Sequence, residues 1–248
     1  MAPSPPGHCY TSSGLRLAAC FLLIFGLSSP VNAAFISLDP TQSGEIERTA
    51  LNIPGPLPVT VVSYEHRTNL GFLGAEGNFP SQASSIAGYA VYDLSSIGFV
   101  PISAAIELDI AFSGEPGELR ITDVAMFTAN DLLTLATGTL PNALGESLFN
   151  DLDPAGGVLD SGASYVDSSG LFGIPLSAAG LSEVTTASPY AVFGFNFAPD
   201  APLFATSSLD LDSAPRLVLE RDMTISVPLP TTLWLLLLPV MLLLHRRK

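Results

Sequence analysis

Catalysis and metal binding draw on histidines, cysteines and grouped carboxylates, and this chain rations the first two. Between residues 34 and 226 there is one histidine, His66, and no cysteine. A two-histidine metal site, a thiolate site and a cysteine nucleophile are thereby excluded from that stretch. A Ser-His-Asp triad would have to use His66, and no G-x-S-x-G occurs. His66 lies in "YEHRT", among polar neighbours at the end of a strand-like run, and reads as a surface histidine.

Carboxylates are the more plentiful resource. Asp151 and Asp153 in "NDLDPAGG" look like half of a calcium loop, although Ala155 and Gly162 stand where further ligands would be needed. Asp210 and Asp212 in "SLDLDS" alternate along a predicted strand and would share one face. Either pair could join backbone carbonyls in holding a structural calcium. Glu107 and Asp109 also share a strand face, with nothing to mark them as a glycosidase pair. For stacking on sugars the amphipathic candidates are Tyr64, Tyr92, Tyr165 and Tyr190, since the only tryptophan is Trp234, near the C-terminus.

The charge is partitioned. All 23 acidic residues lie between Asp39 and Asp222, against five arginines and no lysine in that span, a net charge of −18 where the whole chain carries −14. Such a surface repels nucleic acid and anionic lipid, so no nucleic-acid partner is expected.

The two ends have a different character. Arg16 is followed by an apolar run from Leu17 to Leu27, too short for a bilayer span of about 20 residues. Ser28, Ser29 and Pro30 then break the helix, and "VNA" places small residues at Val31 and Ala33. This order is that of a secretory signal peptide, residues 1–33, cleaved before Ala34. "LAAC" at Leu17–Cys20 matches a lipoprotein box, but the apolar run follows the cysteine rather than preceding it, so the box is expected to go unused.

At the other end stands "VPLPTTLWLLLLPVMLLLHRRK". Leu233 to Leu244 gives about 18 Å of helix against about 30 Å of hydrocarbon, a marginal transmembrane span. Arg246, Arg247 and Lys248 would hold their end in the cytoplasm. Pro228 and Pro230 keep the preceding stretch extended, as a protease substrate must be. The order of Val227, Pro228, Leu229 and Pro230, an apolar helix and a basic cluster resembles the PEP-CTERM sorting signal in its VPLP variant, with Leu229 where the commoner pattern has Glu. The resemblance covers about 22 residues, 227–248. It implies export in a Gram-negative bacterium, a transient inner-membrane intermediate, and cleavage near the proline motif by exosortase, a membrane-embedded cysteine protease.

Between the ends, residues 34–226 are punctuated by glycine and proline every ten or so residues, and no long helical period occurs. In "ISAAIELDIAFS" Ile102, Ala104, Ile106, Leu108, Ile110 and Phe112 alternate with more polar neighbours, a strand with one wet face. Ala191, Phe193, Phe195 and Phe197 alternate likewise. Further strands are expected over 59–67, 89–97, 119–128 and 215–221, and one helix over 177–188 capped by Ser177. This pattern predicts a mainly β fold, a single antiparallel β-sandwich. "YAVYDLSSIGFVPISAAIELDI" and "SSLDLDSAPRLVLE" resemble the opening and closing strands of DNRLRE-type jelly-roll modules, over about residues 85–221. That resemblance implies a jelly-roll-like sandwich. The expected function is that of an exported surface or matrix protein, non-enzymatic, linked to exopolysaccharide and handled by the secretion machinery and exosortase. The alternative is a carbohydrate-binding module or carbohydrate-active enzyme exported by the same route.

Overall fold

The computed structural model describes residues 34–54, 59–76, 82–113, 116–153, 157–162, 164–186, 188–199 and 206–222. The predicted signal peptide and the sorting tail lie outside these residues. The described residues belong to one compact unit, Ala34–Asp222. They are mainly β, and their thirteen strands form one large antiparallel sheet. Among them no helix is long and apolar enough to cross a membrane.

In chain order the strands are β1 (Ala34–Leu38), β2 (Gln42–Ile53), β3 (Val59–Thr68), β4 (Phe72–Glu76), β5 (Gln82–Asp93), β6 (Pro101–Ser113), β7 (Gly117–Thr122), β8 (Gly138–Leu140), β9 (Ser164–Val166), β10 (Gly170–Pro175), β11 (Tyr190–Pro199), β12 (Thr206–Leu211) and β13 (Arg216–Arg221). Among the described residues three helices are interspersed: α1 (Ala129–Leu133), α2 (Asn142–Asp151) and α3 (Ala178–Thr185). The main path runs β1-β13-β6-β12-β4-β5-β11-β7-β9, with β10 added to β6, β2 to β5, β3 to β2, and β8 to β3.

The sheet forks at two strands. One edge of β6 carries β13 and then β12, while Gly170–Pro175 of β10 pairs with Ala105–Ile110 on the other. β5 has β2 along Gln82–Val91, and β4 and β11 share its opposite edge. These forks build two hydrophobic clusters. The first joins Ile106, Leu108 and Ile110 of β6, Leu217 and Leu219 of β13 and Ile174 of β10 with Ala90 and Tyr92 of β5, Leu119 and Ile121 of β7, and Phe193, Phe195 and Phe197 of β11. The second gathers Ala87, Tyr89 and Val91 of β5, Ile46, Tyr64 and Leu140 with Leu132 of α1 and Leu148 of α2. Because strand side chains alternate, β5 serves one cluster with its even-numbered residues and the other with its odd-numbered ones.

Helix α2 lies against β3 because Gly145 has no side chain. A Cβ there would overlap the Tyr64 ring. At its end Asp151 puts a negative charge where the helix dipole disfavours one. Its two carboxylate oxygens accept hydrogen bonds from the amides of Ala125 (3.2 Å) and Met126 (2.9 Å), which offsets that penalty and pins the loop after β7. Helix α3 starts at the expected cap, with the Ser177 side chain accepting from the Gly180 amide.

The alternations in β6 and β11 hold at their centres: Ile106, Leu108, Phe193 and Phe195 are fully buried. Four details differ from expectation. Ile102 is exposed although it shares the parity of Ile106 by number, because the register shifts there: Glu220 pairs with Ser103 and Arg221 with Pro101, leaving Ile102 between them. The strand expected at 89–97 spans Gln82–Asp93 instead, since Leu94–Ile97 form a turn closed by the Ile97 amide on the Leu94 carbonyl. The strand expected at 119–128 ends at Thr122, and residues after it join the Asp151-bound loop. Helices α1 and α2 were not foreseen, and they contribute Leu132 and Leu148 to the second cluster, which buries the odd-numbered face of β5.

Two residues of equal type and parity should therefore respond differently. Ile106→Ala should cost about 2–5 kcal/mol of unfolding free energy, whereas Ile102→Ala should stay within about 0.5 kcal/mol. Urea denaturation of both variants tests this, and equal losses would contradict the burial described.

Candidate functional site

Three concavities stand out among the described residues, one of about 560 Å³ and two of about 370 Å³, the third of them lying between the 94–101 turn and the end of α3. The largest opens between α1, the 134–137 loop, β8 and α2. Its walls are mostly apolar, from Phe127, Leu132, Leu135, Leu140, Leu144 and Leu148, with Asp131 on its rim. A capping box builds that rim. Thr128 accepts from the Asp131 amide, and Asp131 accepts from the Thr128 amide and hydroxyl. The Thr128 hydroxyl and amide hydrogen bonds hold the Asp131 carboxyl below its usual pKa.

Behind this crevice lies His66, which is fully buried rather than on the surface. β8 covers its strand, pairing Gly138 with His66. Its Nδ1 is 3.0 Å from the Ala136 carbonyl, so Nδ1 must carry the proton and donate. Nε2 then accepts from the Tyr89 hydroxyl at 2.9 Å. Gln42 Nε2 donates to the Tyr89 oxygen (3.3 Å) and to the Leu132 carbonyl (2.8 Å). Burial pushes the Tyr89 phenol up, and the Gln42 contact partly opposes that. The chain Gln42–Tyr89–His66 thus ties the carbonyls of Leu132 and Ala136, both on the crevice wall, to the sheet. Gly44 makes room for it, since a Cβ there would come within 2.8 Å of both the Tyr89 oxygen and His66 Nε2.

The second concavity, about 370 Å³, is polar. Asp39, Gln42, Asn69, Asp109, Ser213 and Arg216 contribute to its lining. Asn69 takes a left-handed conformation (φ 74°), which asparagine tolerates better than most residues and which turns the chain between β3 and β4. Arg216 also approaches Glu107 at 3.7 Å. This cleft offers hydrogen-bond acceptors and donors side by side, the complement of a polyhydroxylated ligand.

The residues singled out in the sequence are scattered. Asp151 is buried and spends its oxygens on the two amides described above, while Asp153 is exposed. Asp210 and Asp212 do not share a strand face: β12 ends at Leu211, and a register shift falls between Asp210 and Leu211. Burial raises the Asp210 carboxyl above its usual pKa. Among the described residues no group of three or more His, Cys, Asp or Glu side chains is placed to hold a metal ion. Of the tyrosines, Tyr64 and Tyr92 belong to the cores, Tyr190 is half-buried and Tyr165 is exposed. Tyr92 donates to the Pro215 carbonyl at 2.8 Å, and burial, then the Asp39 charge, push its phenol well above its usual pKa. Ala34, the expected first residue after signal cleavage, is the first residue of β1 and pairs with Arg221. Val31, Ala33, Val227, Pro228, Leu229, Pro230, Arg246, Arg247 and Lys248 lie outside the described residues.

Sequence reasoning missed two buried carboxylates. Asp160 is bound through both oxygens by Arg120 (3.0 Å each) and accepts from the amides of Ile121 and Gly162. Glu45 accepts from the amides of Gly71 and Phe72 and pairs with Arg67 at 3.3 Å. The faint signal was an arginine at an alternating strand position with carboxylates elsewhere to receive it, which spacing alone does not pair. The chain matches no protein-family model and no curated protein sequence.

Tyr89→Phe would leave His66 Nε2 without its donor and Gln42 without one acceptor. A loss of about 1–3 kcal/mol in urea unfolding is expected. Asp160→Ala strands the Arg120 guanidinium and two amides and should cost about 3–5 kcal/mol. Unchanged midpoints would contradict these networks.

Proposed function

We propose that this is an exported surface or matrix protein, trimmed at both ends, whose working part is the acidic β unit and whose role is structural or adhesive in an exopolysaccharide setting. The observation that carries the reading is the order along the chain. A compact unit, Ala34–Asp222, stands between a segment composed like a signal peptide and a segment composed like a PEP-CTERM tail. The unit contains no cysteine, so it needs no reducing compartment, and its −18 charge suits solubility outside a cell. In this reading the fold is a jelly-roll-like sandwich. Support comes from the first hydrophobic cluster, which joins β6, β10 and β13 with β5, β7 and β11. Residues 1–33 direct secretion and leave. Residues 227–248 park the protein in the inner membrane until exosortase cuts near Val227–Pro230.

The polar cleft favours a second reading, a carbohydrate-binding module on the same export route. Asp39, Asp109, Asn69 and Arg216 could bracket sugar hydroxyls, each of which donates and accepts. A glycan array probed with the native protein tests it, with Asp109→Ala expected to abolish any signal. Binding insensitive to that change would place the ligand elsewhere.

Mass spectrometry of the native protein's termini tests the main reading. The expected N-terminus is Ala34 and the expected C-terminus lies near Pro230. Replacing both Pro228 and Pro230 with Ala removes about 3 kcal/mol of helix-breaking penalty per residue, so the helix should extend and uncut protein should accumulate in membranes. A native protein that retains its last 22 residues would overturn the proposed processing.

A further inference from the structure

The hairpin of β2 and β3 outruns its neighbours. Its ladder runs without a bulge from Gly44 opposite Thr68 to Ile53 opposite Val59. β5 accompanies β2 only as far as Leu51, and β8 covers β3 only at Tyr64, Glu65 and His66. Among the described residues none pairs with the outer edge of Val59–Ser63, so that edge presents backbone donors and acceptors to solvent. Cross-strand partners share a face, so Leu51, Ile53, Val59 and Val61 form one apolar patch on the arm. They are 41%, 48%, 54% and 47% exposed. On the opposite face Thr60 donates to Asn52 at 2.9 Å, which stiffens the arm.

Exposed edges are normally protected by charges, bulges or coverage. Here the run from Thr49 to Tyr64 holds no charged residue, in a chain whose net charge is −14. Two copies of so acidic a protein repel each other over most of their surfaces, and this arm is where they can approach. We propose that β3 of one copy pairs antiparallel with β3 of a second copy, extending the sheet across a two-fold axis and setting Val61 beside its symmetry mate, so that the apolar patches of the two arms run together on one face.

The register follows from what limits the edge. β8 blocks pairing from Tyr64 onward, and Pro58 supplies no amide before Val59. Five residues remain, and their centre, Val61, must sit on the axis opposite itself, with Val59 opposite Ser63 of the second copy. In that register the nearest acidic residues on the two strands, Glu65 and its symmetry mate, are eight positions apart. At about 3.4 Å per residue that is about 27 Å, well beyond the screening length of about 8 Å at physiological salt. An axis shifted two residues towards Glu65 would halve that distance. The pairing is isologous, so it closes as a dimer rather than growing into a fibre. It does not depend on the export reading.

Position-specific cross-linking of the full chain tests the arrangement. In a Cys9→Ser, Cys20→Ser background, Val61→Cys should form a disulfide-linked dimer under copper-phenanthroline oxidation. It should do so at least about tenfold faster than Val100→Cys, whose site is more exposed but lies off the arm. Val61→Lys should raise the dimer dissociation constant about tenfold in sedimentation velocity while circular dichroism stays unchanged. Equal cross-linking at both positions would overturn the proposal. So would slow amide exchange over residues 59–63 that is independent of protein concentration, since a segment of the same chain would then cover the edge. Cross-linking of Val61→Cys only to a different protein would also overturn it.

Discussion

Strand β5 is the constraint on which the molecule turns. Its run from Ile86 to Tyr92 has almost no exposed surface, because Ala90 and Tyr92 point into one hydrophobic cluster and Ala87, Tyr89 and Val91 into the other. A strand buried on both faces must be apolar throughout, and its polar atoms must find partners inside. Tyr92 reaches the Pro215 carbonyl and Tyr89 reaches His66 and Gln42. Small residues make the arrangement possible. Gly88 lets Leu70 lie directly on the strand, where a Cβ would collide with it. Because both clusters share this strand, damage to one is transmitted to the other, and the sheet with its covering helices is expected to unfold as a unit.

The same economy governs charge. The described unit carries a heavy excess of carboxylates, yet Glu45, Asp151 and Asp160 are buried. Each is held by two backbone amides, and two of the three also by an arginine. A carboxylate so placed is less a surface charge than a clasp, joining a loop to the sheet where backbone groups would otherwise lack partners. The five arginines are too few to neutralise the surface, and two of them, Arg67 and Arg120, serve at these clasps.

Much of the β character could be read from period-two alternation, and Ser177 marked the start of α3. What escaped did so for physical reasons. Alternation assumes an unbroken ladder, so it could not distinguish Ile102, at a register shift, from Ile106. The run "YAVY" reads only as part of a strand, and its burial on both faces became visible only with α1 and α2, whose periods are too short to register. His66 looked polar because its neighbours in the chain are polar, but its surroundings are set by β8 and by Gly44. The acidic pairs looked like ligands because spacing says nothing about bulges or helix ends. The cleft was illegible because its walls come from segments far apart in sequence, around residues 39–43, 69, 109 and 213–216, whereas the crevice is lined within residues 126–148 and escaped because its two helices did.

The placement of the arginines has one further implication. Between Ala34 and Asp222 there is no lysine, and all five arginines lie inside strands: Arg48 in β2, Arg67 in β3, Arg120 in β7, and Arg216 and Arg221 in β13. Four of them are also engaged, three in ion pairs and Arg221 over the Phe99 ring. Proteases of tryptic specificity need a basic residue on a chain free to enter their cleft, and this sheet offers none on its loops. Digestion would have to wait for a strand to leave the sheet, so among such enzymes the protein's lifetime would be set by how often the sheet opens rather than by how much enzyme is present.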